Sequence, residues 1–152
     1  MDGSALPAAE GEAPASADHL HIGEVATRTG LSLRTIRHYD EVGLVRPSAR
    51  SQGGFRLYTE ADVARLMVIR RMKPLGFTLE EMGELLSITD RLDDTGAAAL
   101  EAAEREQMLA RLGHFEQATR ERCEALCTQL ARAEEFGADL QRRAGQLAGG
   151  AA

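Results

Sequence analysis

Basic and hydroxyl side chains are concentrated between residues 34 and 58, at spacings that suit contact with a polyanion. Arg34, Thr35 and His38 fall on one face of a helical segment, at i, i+1 and i+4. Arg37 and Tyr39 flank that face and suit clamping of phosphates. An arginine near the start of such a helix can donate two hydrogen bonds to a guanine edge, and a threonine can meet a thymine methyl group or a phosphate. This face therefore predicts a DNA-contacting surface.

A second group of basic and aromatic residues surrounds a double glycine. Gly53 and Gly54 allow a tight turn that brings the backbone close to a sugar-phosphate chain. Arg50 and Arg56 supply positive charge on either side of that turn, and Tyr58 supplies a hydroxyl donor. Arg56 and Tyr58 could also be ordinary strand residues. Because they follow a basic helix, we predict that Arg50, Arg56 and Tyr58 contact the DNA backbone.

The helix that carries Arg34 is predicted to be the second of a closely spaced pair. Residues 22–30 indicate a short first helix, and Gly30 is a typical C-terminal stop. Ser32 is a typical N-cap for a second helix over 33–42, which Gly43 ends. Two short helices joined across a glycine turn are a helix-turn-helix. Residues 45–58, with turns at Pro47 and the double glycine, predict a wing that returns through a strand at 55–58.

Two further helices are predicted from capping boxes. Thr59 and Asp62 have the spacing that starts a third helix, ending near Lys73. Thr78 and Glu81 repeat the signal for a fourth helix through about residue 88, followed by a polar loop over 90–96. The winged helix-turn-helix domain is therefore expected to cover 19–89.

The remaining chain, 97–147, predicts one long helix with a thin apolar seam. Apolar or small residues recur at steps of three and four, which is typical of a coiled coil; they are Leu112, Phe115, Thr119, Cys123, Leu126, Leu130, Ala133, Gly137 and Leu140. One helix cannot bury such a seam alone, so we expect a homodimer formed through this C-terminal helix. The predicted fold class is mainly α, a winged helix-turn-helix followed by a long coiled-coil dimerisation helix.

The DNA-binding half closely resembles the MerR family of bacterial transcription regulators. The resemblance is carried by Ile22-Gly-Glu-Val-Ala, by the run from Gly30 to Val45, and by Gly53-Gly-Phe-Arg-Leu-Tyr58. It implies antiparallel pairing of the long helices and binding to promoter DNA between the −35 and −10 elements. It also implies control by bending and untwisting that spacer, with RNA polymerase as a further partner. The operator, the genes controlled, the sign of regulation and the signal stay open.

The distribution of charge explains how an acidic chain could bind DNA. The net charge is −6, but residues 28–73 hold ten bases against four acids, a local +6. Binding depends on that local patch rather than on the overall balance. Residues 1–18 are rich in Ala, Gly, Pro, Ser and acids, which predicts a disordered tail. Residues 148–152 are expected to form a flexible tail.

Two cysteines offer an alternative function. Cys123 and Cys127 are one helical turn apart, so both sulfurs could bind one soft metal or respond to thiol chemistry. Two small residues packed near a helix seam are the more ordinary interpretation. The family's metal sensors carry a cysteine at the start of the dimerisation helix, and this chain has none there. We therefore predict no metal site and no cofactor. A helical protein-interaction module with secondary DNA contact is the remaining alternative.

Other classes of protein lack their characteristic motifs here. The sequence has no phosphate-binding glycine loop followed by Lys-Ser/Thr and no Gly-x-Ser-x-Gly, so an enzyme is not expected. No apolar run is long enough to span a membrane, and the start of the chain does not look like a secretion signal. The sequence thus predicts a cytoplasmic protein with no membrane contact.

Overall fold

The first helices begin and end where local signals place them. The structure, a computed structural model, describes residues 19–150; the predicted N-terminal tail lies outside that range. Helix α1 is Ile22–Thr29 and ends at Gly30, whose φ of 69° is left-handed. Helix α2 is Leu33–Glu41, and the Ser32 side chain accepts a hydrogen bond from the backbone N–H of Thr35. The predicted helix-turn-helix is confirmed.

A small antiparallel sheet follows the helix pair. Strand β1 is Leu20–His21, β2 is Ala49–Arg50 and β3 is Arg56–Tyr58. Their order is β1-β3-β2, so β2 and β3 form the wing hairpin and β1 borders it. Strand β1 was not predicted because two residues are too few to show an alternating pattern.

Both predicted capping boxes are present. Helix α3 is Glu60–Met72; the Thr59 side chain accepts from the Asp62 N–H, and the Asp62 side chain accepts from the Thr59 N–H. Thr78 and Glu81 make the same reciprocal bonds, at 2.7 and 3.2 Å, at the start of α4, Leu79–Thr95. A short 3₁₀ turn, Lys73–Leu75, lies between them.

The predicted polar loop over 90–96 is wrong, because α4 continues through Thr95. Polarity alone does not end a helix, and the first strong terminator is Gly96, whose φ is 75°. The next helix then begins later than predicted. Ala97–Ala99 is a 3₁₀ turn, and Leu100 is extended and buried, so α5 is Ala102–Gly149. Helix α5 thus runs two residues past the predicted end.

The chain divides into two compact units, residues 19–86 and 87–150 of the described range. In the first unit α1 packs against both α2 and α3, and the sheet borders α1. The fully buried side chains of this unit form its core: Val25, Thr29, Ile36, Tyr39, Val45, Tyr58, Leu66, Ile69 and Leu86. In the second unit Ile88, Leu100 and Phe115 are buried, whereas every residue from 121 to 136 is exposed.

Candidate nucleic-acid interface

Helix α2 has one face in the core and one in solvent. Ile36 is fully buried and Tyr39 is 2% exposed. Arg34, Arg37 and His38 are exposed and line a shallow depression together with Glu41. The predicted basic face is therefore a real surface, with its orientation fixed by the buried side of the same helix.

The arginines on this face have no intramolecular partner in the described part of the chain. Neither Arg34 nor Arg37 forms an ion pair with another residue of 19–150. An unpaired guanidinium keeps all of its donors for an external acceptor. Thr35 is less free: it is half-buried, and its hydroxyl lies 2.8 Å from that of Ser32. Arg34 and Arg37 thus have more hydrogen-bond donors available to an external acceptor than Thr35 has.

The wing hairpin turns through the double glycine as predicted. The N–H of Gly54 donates to the Ser51 carbonyl at 2.9 Å, and the N–H of Phe55 donates to the Ser51 hydroxyl at 3.1 Å. The φ of Gly54 is 80°, a left-handed conformation that favours glycine. This turn holds the flanking arginines close together.

The wing arginines, unlike those of α2, are bound to an acid. Arg56 Nε donates to Asp40 Oδ2 at 2.6 Å, and an Arg50 terminal nitrogen donates to the same oxygen at 3.2 Å. The hydrogen bond to Asp40 raises the pKa of Arg56 above its ordinary value. Sequence reasoning missed Asp40, since residues 10 and 16 positions apart meet only through the fold.

Tyr39 and Tyr58 do not lie on the predicted surface. Tyr39 is 2% exposed and Tyr58 is fully buried, so neither of these predicted DNA-contacting side chains is on the surface of the DNA-free chain. Burial raises the pKa of both phenols. Within residues 19–150 neither buried hydroxyl has a hydrogen-bond partner. A chain with 4% aromatic residues uses these rings to fill its core, which outweighs the polar tip.

Tyr58→Phe provides a direct test of this burial. Removing an unpartnered buried hydroxyl should leave the free energy of unfolding unchanged or raise it by about 1 kcal/mol. DNA affinity should stay within about twofold, a change of roughly 0.4 kcal/mol. Chemical denaturation and duplex titration measure the two quantities. A tenfold loss of affinity without loss of stability would show that the hydroxyl reaches DNA.

Phe55 is a surface residue that the sequence reasoning did not select as a site. It lies at the end of the wing turn with 67% of its surface exposed. A single exposed apolar ring is common on protein surfaces, and this one lies against the wing turn, 3.0 Å from where a Cβ on Gly53 would stand. The sequence feature that could have identified Phe55 is its position, directly after two glycines and directly before an arginine.

The cysteines are accessible but isolated from other ligands. Cys123 and Cys127 are both exposed free thiols on α5. Residues 19–150 contain no group of three or more His, Cys, Asp or Glu side chains that could hold a metal ion. No observation therefore favours the metal-sensor alternative. In the same residues no helix is long and apolar enough to cross a membrane.

Two family models match the chain and overlap. One, described as "MerR HTH family regulatory protein", matches residues 20–88. The other, described as "MerR, DNA binding", matches residues 63–149. Together they cover both compact units.

Curated relatives match over part of their length. An HTH-type transcriptional regulator of Pseudomonas aeruginosa is 45% identical over 69 residues, covering 45% of this chain and 52% of that protein. The mercuric resistance operon regulatory protein of Bacillus cereus is 44% identical over 70 residues, covering 46% and 53%. The chain thus spans about half the length of these curated relatives.

Solved structures agree over most of the chain. A MerR-family transcriptional regulator from Bacillus cereus has a TM-score of 0.56 at 26% identity, covering 82% of this chain and 81% of that one. HiNmlR, a MerR-family regulator lacking the sensor domain and bound to promoter DNA, also has a TM-score of 0.56 at 26% identity, covering 77% and 79%.

Proposed function

The chain belongs to the MerR family of helix-turn-helix regulatory proteins, and from that premise we propose that it binds promoter DNA and regulates transcription. The observation that carries this proposal is the outer face of α2, where Arg34, Arg37 and His38 are exposed beside the wing. A helix presented this way fits the major groove, and a wing beside it reaches the backbone. HiNmlR, a structural neighbour without a sensor domain, is bound to promoter DNA.

We further propose that the two parts of the chain have different functions, DNA binding and dimerisation. Residues 19–89 would bind DNA, and α5 would pair with α5 of a second copy. Large apolar residues are exposed along α5, with exposed fractions between 40% and 80% from residue 126 onward: Leu126, Leu130, Phe136, Leu140 and Leu147. Phe115 is a correction to the predicted seam, because it is already buried within one chain. We propose that the dimer seam uses the exposed apolar residues of α5 beyond residue 120.

The proposed mechanism uses deformation of the promoter. Two winged units held at fixed spacing would bind the halves of a pseudo-palindrome. Bending and untwisting the intervening spacer would change how RNA polymerase engages its two promoter elements. A regulator acting on promoters works in the cytoplasm, and no catalysis is part of the proposal.

Selection from random duplexes, followed by footprinting of the enriched sequence, tests this function. The expected result is an inverted repeat protected over two half-sites, with stronger bending on binding than a random duplex shows. Equal affinity for every sequence would overturn the proposal.

Arg34→Ala should cost about 1–3 kcal/mol on the selected site and relax base preference at one position of each half-site. The reason is that Arg34 lies near the start of α2 and is free to reach a base edge. Titration of the selected duplex and of single-base variants measures the effect. Arg71→Ala is the control, since that arginine is exposed on α3 and donates to the Met67 carbonyl of its own helix. Unchanged discrimination in Arg34→Ala would remove Arg34 from base recognition.

A further inference from the structure

One carboxylate oxygen connects the second helix to both wing arginines. Asp40 Oδ2 accepts from Arg56 Nε at 2.6 Å and from Arg50 at 3.2 Å. The Asp40 side chain is only 12% exposed, and that of Arg56 is 23% exposed. Arg50 also donates from its other terminal nitrogen to the Gly54 carbonyl at 3.1 Å, which extends the connection to the wing turn. The helix and the hairpin are thus joined by a shared set of hydrogen bonds, of which the Arg56–Asp40 bond is partly buried and the two Arg50 bonds are exposed.

The basic surface therefore contains two kinds of arginine, those with an ion pair and those without one. Arg34 and Arg37, on the outer face of α2, have no ion pair within residues 19–150. Arg50 and Arg56, on the wing, share the charge of Asp40. Contacts to phosphates contribute affinity for any sequence, whereas contacts to base edges distinguish sequences. Partial neutralisation therefore falls on the two wing arginines, which are suited to the backbone, and leaves both α2 arginines unpaired, including Arg34, which is suited to the bases.

The geometry also fixes how Arg56 is presented. Asp40 takes the Nε–H, an inner donor of the guanidinium, and no bond from the terminal nitrogens of Arg56 is found among the described residues. A planar guanidinium held at Nε still has two terminal NH₂ groups in a fixed orientation. Asp40 can thus orient the side chain without occupying the donors that a phosphate would use.

We infer that Asp40 is a positioning residue that fixes the wing against α2 and sets the ratio between specific and random DNA affinity. The inference rests on the proposed function. Holding the two arginines lowers the entropy lost when they meet a correctly placed phosphate. It also lowers their attraction to phosphates elsewhere, because the carboxylate opposes their charge.

Asp40→Asn tests the inference, because it keeps the size of the side chain and removes its charge. Random-duplex affinity should rise, and the ratio of specific to random affinity should fall about tenfold, or about 1.4 kcal/mol. The slope of log affinity against log salt should steepen by about one. Glu80→Gln is the matched control, an exposed acid on α4 that makes the same change in charge and has no ion pair with Arg50 or Arg56; it should alter neither the ratio nor the slope. An unchanged ratio in Asp40→Asn would overturn the inference.

A double-mutant cycle separates positioning from a general loss of stability. In an Arg50→Gln, Arg56→Gln background, Asp40→Asn should have no further effect on the affinity ratio, since the groups it acts through are gone. A tenfold fall in that background would overturn the inference. Asp40→Glu should restore the wild-type ratio at least in part, because it returns the carboxylate.

A measurement on the DNA-free protein keeps this inference distinct from the proposed function. The Arg56 Nε–H should give a resolved NMR signal that exchanges slowly with water in the wild type and in Glu80→Gln, and rapidly in Asp40→Asn. Rapid exchange in the wild type would show that Asp40 does not hold the wing. Slow exchange in a wild type that binds all sequences equally would instead refute the proposed DNA recognition, and with it the role of Asp40 in discrimination.

Discussion

Leu126→Lys together with Leu130→Lys should make the protein monomeric and weaken binding to its full site by 100-fold or more. The first unit should stay folded, because neither leucine belongs to its core. Leu126 and Leu130 lie one helical turn apart with exposed fractions of 40% and 59%. A second copy that covered them would have to bury two ammonium groups, which is costly without acidic partners.

The loss of affinity follows from geometry rather than from lost DNA contacts. A single helix-turn-helix reads about half of a two-fold site, and a fixed partner presents the second copy at the right helical phase. Linking the two copies makes the second binding event intramolecular, which raises affinity without any new contact. A monomer would keep the half-site affinity and lose this gain.

Thr128→Lys with Ala131→Lys is the matched control. Both residues are exposed on α5 and, at 3.6 residues per turn, point away from Leu126 and Leu130. This pair adds the same two charges to the same helix, so it should leave the dimer and its affinity intact. Sedimentation equilibrium and titration of full and half-site duplexes measure both variants. A Leu126→Lys, Leu130→Lys protein that remains dimeric would place the dimer contact elsewhere.

Local chemistry accounts for the features that were predictable from the sequence. The caps at Ser32, Thr59 and Thr78 depend on residues three positions apart, and the stop at Gly30 depends on one. These contacts can be predicted from the sequence because each is made within one helical turn. The same reasoning placed Arg34 and His38 on one outer face, because residues four positions apart lie one above the other on a helix, and both are exposed.

The residues whose roles could not be predicted from the sequence are those whose roles depend on tertiary contacts. Asp40 looks like one more surface acid on α2, and only the folded hairpin brings the two wing arginines to it. Tyr39 and Tyr58 have polar tips that suggested phosphate contact, yet the first unit needs their rings to fill its core. Phe115 fits a heptad seam by spacing, but it is buried before any partner arrives. In each case the local sequence is compatible with two roles for the residue. Burial, or a partner distant in the sequence, determines which role it has.

Ile36→Ala should reduce stability and Arg34→Ala should reduce base recognition, although the two residues are only two positions apart on the same helix. Ile36 is fully buried, so its truncation should lower the free energy of unfolding by about 2–5 kcal/mol, through lost apolar burial and the cavity left behind. Arg34 is exposed, so its truncation should change stability by no more than about 0.5 kcal/mol.

The two variants also separate folding from recognition. Small domains are stable by only about 5–15 kcal/mol, so Ile36→Ala should unfold at much lower denaturant while its folded fraction keeps the wild-type base preference. Arg34→Ala should unfold like the wild type and lose preference at one base. Denaturation at fixed protein concentration, paired with titration of single-base duplex variants, resolves both. If folded Ile36→Ala lost its base preference, the presence of the α2 arginines would not be enough for base recognition. Recognition would then also depend on how rigidly the core holds the helix.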